Sequence, residues 1–144
     1  MTSSARQRME QFLPRPLRYL LYSILRAVNI MSSCIFCKIV NNEAPATIVY
    51  RDAQVTAFRD AHPVAPTHIL IVPNKHIASV NELDLQDEPL IGHMFGIARR
   101  LAGAEGIAEN GYRIIVNSGA HGGQTIFHLH LHLIGGQRMR FPMG

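Results

Sequence analysis

At 144 residues the chain is long enough for one domain with a proper core and too short for two comfortable ones. Its apolar fraction of 47% and charged fraction of 17% exclude a disordered or fibrous chain. The formal net charge of +4 belongs wholly to residues 1–30, where Arg6, Arg8, Arg15, Arg18 and Arg26 outnumber the acid Glu10. Residues 31–144 balance to zero, so charge gives no argument for a nucleic-acid polymer as partner.

Residues 1–30 differ in composition from the rest of the chain. Pro14 and Pro16 interrupt them, and from there Leu17, Leu20, Leu21, Ile24, Leu25 and Val28 recur at helical spacing with Arg18 and Arg26 between them. The apolar run at 19–24 falls far short of the ~20 residues a membrane span needs, so no span is expected. An arginine-rich, acid-poor amphipathic leader fits an organelle transit peptide, a surface helix, a membrane-surface segment or translated sequence upstream of the true start. Met31 opens a run that reads as a natural N-terminus, and the last reading is preferred. The expected organisation is a basic amphipathic extension over 1–30 and one domain over 31–144.

Cys34 and Cys37 are the only cysteines, too few for a disulfide-built scaffold. Short strands are expected at 47–50, 54–59 and 68–73, rich in Val, Ile, Thr and Phe and bounded by Pro and Asp. A helix is expected over 87–104, with Leu90, Ile91, Met94, Ile97, Ala98 and Leu101 on one face and Gly103 and Gly106 near its end. Two further strands, 112–117 and 126–134, flank the glycine-rich loop Ser118-Gly119-Ala120-His121-Gly122-Gly123-Gln124. Strands joined by hairpins around one main helix indicate an α+β domain with a mostly antiparallel, five-stranded sheet.

The last strand carries the chemistry. Side chains alternate across a strand with period two, which puts His128, His130 and His132 on one face and Phe127, Leu129, Leu131 and Leu133 on the other. Adjacent histidines in such a row stand about 6.5–7 Å apart, close enough for two rings to engage one phosphate or one metal. Three readings fit this spacing: a polar strand face, a metal centre, or a nucleophile with its partners. Cys34 and Cys37 raise a separate metal question, although a zinc site needs four ligands.

The sequence His128-Leu129-His130-Leu131-His132-Leu133-Ile134 resembles the signature of the histidine-triad (HIT) superfamily. The resemblance extends through Cys34-Ile35-Phe36-Cys37-Lys38-Ile39, Ala57-Phe58-Arg59-Asp60, Ala65-Pro66-Thr67-His68-Ile69-Leu70-Ile71-Val72-Pro73, Gly122-Gly123-Gln124-Thr125 and Gly135-Gly136-Gln137-Arg138-Met139. It covers residues 33–144 and points to the HINT branch, the purine nucleoside phosphoramidases.

That resemblance implies a hydrolase acting on nucleoside 5′-phosphoramidates, with no cofactor needed for the chemistry. His130 would attack the α-phosphorus and form a nucleotidyl-histidine intermediate, splitting one displacement into two. A neutral imidazole is available near neutral pH because its unperturbed pKa is about 6.5. One ring nitrogen must stay free, so the other needs an acceptor, for which a backbone carbonyl is expected. His132 and His68 would flank the phosphate. Thr125 would donate to a phosphate oxygen or meet the leaving nitrogen, although the branch usually has serine there. Gly122 and Gly123 would let the backbone approach the phosphate, amides near Gln124 would form an anion nest, and Asn117 would contact the ribose-phosphate. Asp60 would accept from the ribose hydroxyls, while Ile35, Phe36, Ile39 and Phe58, with Ala61 at the edge, would form the base slot.

Relatives with this motif also imply structural zinc on Cys34, Cys37, His76 and His128, which would remove His128 from catalysis. His62, His93 and His121 are expected at solvated positions. Relatives are homodimers with one continuous sheet, and Phe141 in the C-terminal tail would contact the partner. Free thiols suit a cytoplasmic location, with organelle targeting by 1–30 as the alternative. Competing functions are dinucleoside polyphosphate hydrolysis, a nucleotide-binding or scaffold module with incidental turnover, and a metallohydrolase with a three-histidine centre.

Overall fold

The computed structural model describes residues 13–140, so the expectation for Phe141 lies outside the described residues. The chain divides into two compact units, residues 1–33 and 34–144. In the first, helix α1 (Arg15–Ser33) runs through the expected boundary at 30/31 and presents Leu17, Leu20, Ile24 and Val28 to solvent. Among the described residues, no helix is long and apolar enough to cross a membrane.

The second unit begins with the short helix α2 (Ile35–Val40), started by Cys34, whose sulfur accepts from the Cys37 amide. Strands β1 (Ile48–Arg51) and β2 (Val55–Arg59) form a hairpin. Its turn is closed by Asp52 Oδ1, which accepts from the amides of Gln54 and Val55 at 2.8 Å each, as an aspartate does in a local side-chain turn. Strand β3 (Thr67–Pro73) comes next, then helix α3 (Glu88–Ala104), strand β4 (Tyr112–Ile115) and strand β5 (Leu131–Gly135). The sheet has the order β1-β2-β3-β5-β4 and every pairing is antiparallel. The expected α+β architecture is what the structure shows.

Helix α3 starts with Glu88 and Pro89, where a proline fits because its missing amide hydrogen has no helical partner there. It ends before Gly106, whose φ of +71° is one that glycine adopts without steric penalty. Its apolar stripe packs with Val55, Ala57, Ile69, Ile71, Leu129, Leu131 and Leu133 in the main core. The opposite face of the sheet carries a second cluster of Phe36, Ile39, Phe58, Leu70 and Val72. Across the sheet, Phe58 pairs with Leu70 and Leu70 with His132, so α2 and the histidines share this second face.

One element departs from expectation. The strand expected over 126–134 is regular only from Leu131 onward. Just before it, the Leu129 amide donates to the Ile77 carbonyl at 2.6 Å rather than to a sheet ladder. The alternation of side chains survives for Leu129, which is buried, but fails at Phe127, which is 53% exposed.

Candidate functional site

The site is built where β3 and β5 run side by side. His68 lies near the start of β3 and His132 lies in β5, and the His68 Nε2 to His132 Nδ1 distance is 2.9 Å. The Val64 amide donates to His68 Nδ1 at 3.2 Å, which leaves the ring proton on Nε2. His68 therefore donates to His132 Nδ1, and His132 carries its own proton on Nε2. That Nε2 is buried and has no partner, so a donor stands ready for an incoming acceptor, since buried polar groups are otherwise nearly always paired. Asp60 Oδ2 lies 3.4 Å from His68 Nε2, while Oδ1 accepts from the His62 amide at 2.7 Å.

Burial pushes the His132 pKa down to about 4, helped by His130 and His68 and opposed by Asp60. Burial also lowers that of His68, again opposed by Asp60. Both rings are therefore held neutral, as donors rather than cations.

His130 is 6% exposed, and its ring centroid lies 4.8 Å from that of His132. Its Nδ1 donates to the backbone carbonyl of His128 at 2.7 Å, which fixes the tautomer and leaves an Nε2 lone pair. This is the carbonyl acceptor a nucleophilic imidazole requires. Phe36 stands edge-on to this ring at 5.2 Å.

His128 points elsewhere. Its Nε2 donates to the Pro73 carbonyl at 2.8 Å, and its Nδ1 faces the sulfurs of Cys34 and Cys37 at 3.4 and 3.5 Å. The His76 Nδ1 lies 3.2 Å from the Cys37 sulfur. Cys34, Cys37, His76 and His128 together can hold a metal ion, with ligand atoms within 4.8 Å of one another. Two sulfurs and two imidazoles match a tetrahedral site, in which bond lengths of 2.0–2.3 Å put ligands about 3.5 Å apart. The Pro73 carbonyl is the outer partner that turns the His128 lone pair inward. Burial pushes the Cys37 thiol up, with the neighbouring Cys34 adding to the effect. Asp60, His68 and His132 also form a possible ligand group, but among the described residues no such group includes His130.

The remaining expected residues fall into two sets. Phe36, Ile39 and Phe58 are nearly closed core, at 4%, 7% and 3% exposed, whereas Ile35 and Ala61 are exposed. In the glycine-rich loop the structure changes the expected part of several residues. The amides of Gly123 and Gln124 donate to the carbonyls of Ala120 and Gly119, so the expected anion nest is not formed by them. Gln124 is buried and its side chain braces the loop, accepting from the Gly119 amide and donating to the carbonyls of Ala78 and Ile126. Gly122 is required by the Ser118 carbonyl, which a Cβ would meet at 2.5 Å. Thr125 is exposed and Asn117 half-buried.

Two features escaped sequence reasoning. Ser118 Oγ is buried without a partner beside Asn117. His93, expected at a solvated position, instead lies with Nε2 2.6 Å from Asp52 Oδ2, tying α3 to the β1–β2 turn.

Known proteins share both the sequence and the fold. A family model described as HIT domain matches residues 41–139. A protein of Escherichia coli (strain K12) named purine nucleoside phosphoramidase is 52% identical over 110 residues, covering 76% of this chain and 89% of that protein. The crystal structure of a HIT family hydrolase from Legionella pneumophila Philadelphia 1 is 48% identical. It superposes with a TM-score of 0.75 over 78% of this chain and 100% of that one. A Zn-bound histidine triad family protein from Mycobacterium smegmatis is 28% identical, with a TM-score of 0.67 over 76% of this chain and 79% of that one.

Proposed function

The chain belongs to the HIT domain family, and from that premise we propose that it hydrolyses purine nucleoside 5′-phosphoramidates to the nucleoside monophosphate and an amine. The observation that carries the mechanism is the His130 Nδ1–H bond to the His128 carbonyl, at 2.7 Å. It leaves Nε2 as the nucleophile. Nε2 attacks the α-phosphorus, the P–N bond breaks, and the amine departs with a proton taken from solvent. Water then attacks the same phosphorus and gives one proton back to solvent, returning the imidazole and releasing the monophosphate.

His132 Nε2–H donates to a phosphoryl oxygen, where charge develops in both steps. His68 acts through His132, and Thr125 serves the phosphate or leaving nitrogen with its hydroxyl. Asp60 accepts from the ribose, Asn117 contacts the ribose-phosphate, and Gly123 and Gln124 hold the loop that carries Thr125. The base lies against Ile35 and Ala61 over the floor of Phe36, Ile39 and Phe58.

Zinc is the cation we assign to Cys34, Cys37, His76 and His128, on the strength of their soft and borderline donors. It would supply structural cross-linking, and the phosphoryl chemistry requires no cofactor.

We also propose a homodimer through β4. This strand forms one edge of the sheet, and beside it a cleft of about 310 Å³ is lined by Val64, Ala65, Ile115, Ile134 and Met139 together with Arg113, Gln137 and Arg140. An open edge with an apolar flank favours pairing with a second copy. Cysteines kept reduced and open to a metal support a cytoplasmic location, with residues 1–30 as an extension to the domain.

Incubation with an adenosine 5′-phosphoramidate tests the function. The expected result is release of AMP and free amine, faster than cleavage of a dinucleoside polyphosphate. Tight AMP binding without turnover would instead identify a binding module.

A further inference from the structure

The metal-ligand cluster and the nucleophile share one residue. The His128 ring is fixed at both nitrogens, by the Pro73 carbonyl and by the two cysteine sulfurs. Its backbone carbonyl accepts the Nδ1 proton of His130. This stretch of chain has no strand to hold it, because β5 becomes regular only at Leu131. Its backbone is tied instead by the Leu129 amide to the carbonyl of Ile77, the residue after the ligand His76. Phe36, between the two cysteines, stands edge-on to the rings of His128 at 5.9 Å and His130 at 5.2 Å.

We infer that the Cys34–Cys37–His76–His128 cluster is a positioning device for the nucleophile. A cation bound there fixes the His128 carbonyl on one side of the His130 ring and Phe36 on another. It thereby holds the tautomer whose Nε2 lone pair reaches phosphorus. His128 is a positioning residue in this scheme: its side chain touches no reacting atom. The inference rests on the nucleotidyl-transfer reading of His130. Coupling passes through a single residue, from the His128 side chain to its backbone carbonyl. Partners that orient a metal ligand from behind typically matter by about 10–100-fold in metal affinity or activity when removed, and the same range is expected for the carbonyl that orients His130.

The test compares the full chain with His76→Ala, which drops one ligand, and His76→Cys, which restores four. Three quantities are read: bound zinc, the ¹⁵N imidazole shifts of His130 without substrate, and kcat and KM for an adenosine phosphoramidate. The expected result for His76→Ala is loss of zinc, His130 shifts averaged between two tautomers, and kcat about 10–100-fold lower with KM little changed. His76→Cys should return all three. A folded, zinc-free His76→Ala with wild-type His130 shifts and wild-type kcat would overturn the inference.

Should His76→Ala fail to fold, replacing zinc by the larger cadmium in the wild-type chain decides. His130 shifts and kcat should move together, and identical values with both ions would overturn the inference. The shifts need no turnover, so absence of phosphoramidate hydrolysis would refute the catalytic reading separately from this one.

Discussion

Replacing His68 by alanine separates two ways the third histidine can serve the reaction. The ring donates from Nε2 to His132 Nδ1 at 2.9 Å and is itself held by the Val64 amide. If it acts only through His132, its loss removes one hydrogen bond that orients a donor, a net contribution of about 0.5–1.5 kcal/mol. Since a tenfold rate change is about 1.4 kcal/mol, His68→Ala should lower kcat roughly two- to twelvefold and leave KM nearly unchanged. His132→Ala removes the donor itself and should lower kcat by about 10²–10³, the loss typical of one oxyanion donor. His68→Gln, which keeps an N–H of similar reach, should recover most of the loss. Steady-state hydrolysis of an adenosine phosphoramidate carrying a fluorescent amine gives both constants. A His68→Ala loss as large as that of His132→Ala, or one confined to KM, would refute the relay and put His68 directly on the phosphate.

The same geometry sets further outcomes. The His132 pKa is depressed to about 4 in the folded chain against about 6.5 for an unperturbed imidazole. Its contribution to stability is therefore full above pH 6.5 and is lost as pH falls toward 4. Urea midpoints should drop between pH 7 and pH 5 more in the wild type than in His132→Asn, and equal drops would contradict the shift. Gly122→Ala should disturb the loop and lower activity, because its Cβ would meet the Ser118 carbonyl at 2.5 Å. Gly96→Ala, with nothing within 4 Å of its Cβ, should stabilise α3 by about 0.5–1 kcal/mol in the same unfolding assay. Met94→Ala, fully buried under the sheet, should destabilise by ~2–5 kcal/mol in denaturant unfolding while leaving KM unchanged in the folded fraction.

The sheet, the main helix and the separation of Leu129, Leu131 and Leu133 from the histidines were legible because local periodicity encodes them. The limits of that code are visible at Phe127. Strict alternation would bury this residue, but here the backbone leaves the ladder and the side chain turns to solvent. A hydrogen bond from Leu129 to Ile77 joins residues distant in sequence, and no local pattern announces it.

His93 illustrates the same limit, since its partner Asp52 lies 41 residues away. The glycine-rich loop was legible as a turn but not in its internal bonding. Whether an amide points outward to an anion or inward to a carbonyl depends on the dihedral angles of each residue, and the loop turns Gly123 and Gln124 inward. The four metal-ligand candidates were assembled through family resemblance, because only the two cysteines are neighbours in sequence.

The central claim is that His130 becomes covalently nucleotidylated. Quenching the full chain in alkaline denaturant, which preserves an imidazole N–P bond, during turnover of an α-³²P-labelled adenosine phosphoramidate, followed by peptide mass analysis at neutral to basic pH, tests it most directly. The expected result is an adenylyl group on the imidazole of His130, absent in a folded His130→Ala chain that still binds AMP. Turnover with no trapped adduct, or with full activity in His130→Ala, would contradict it.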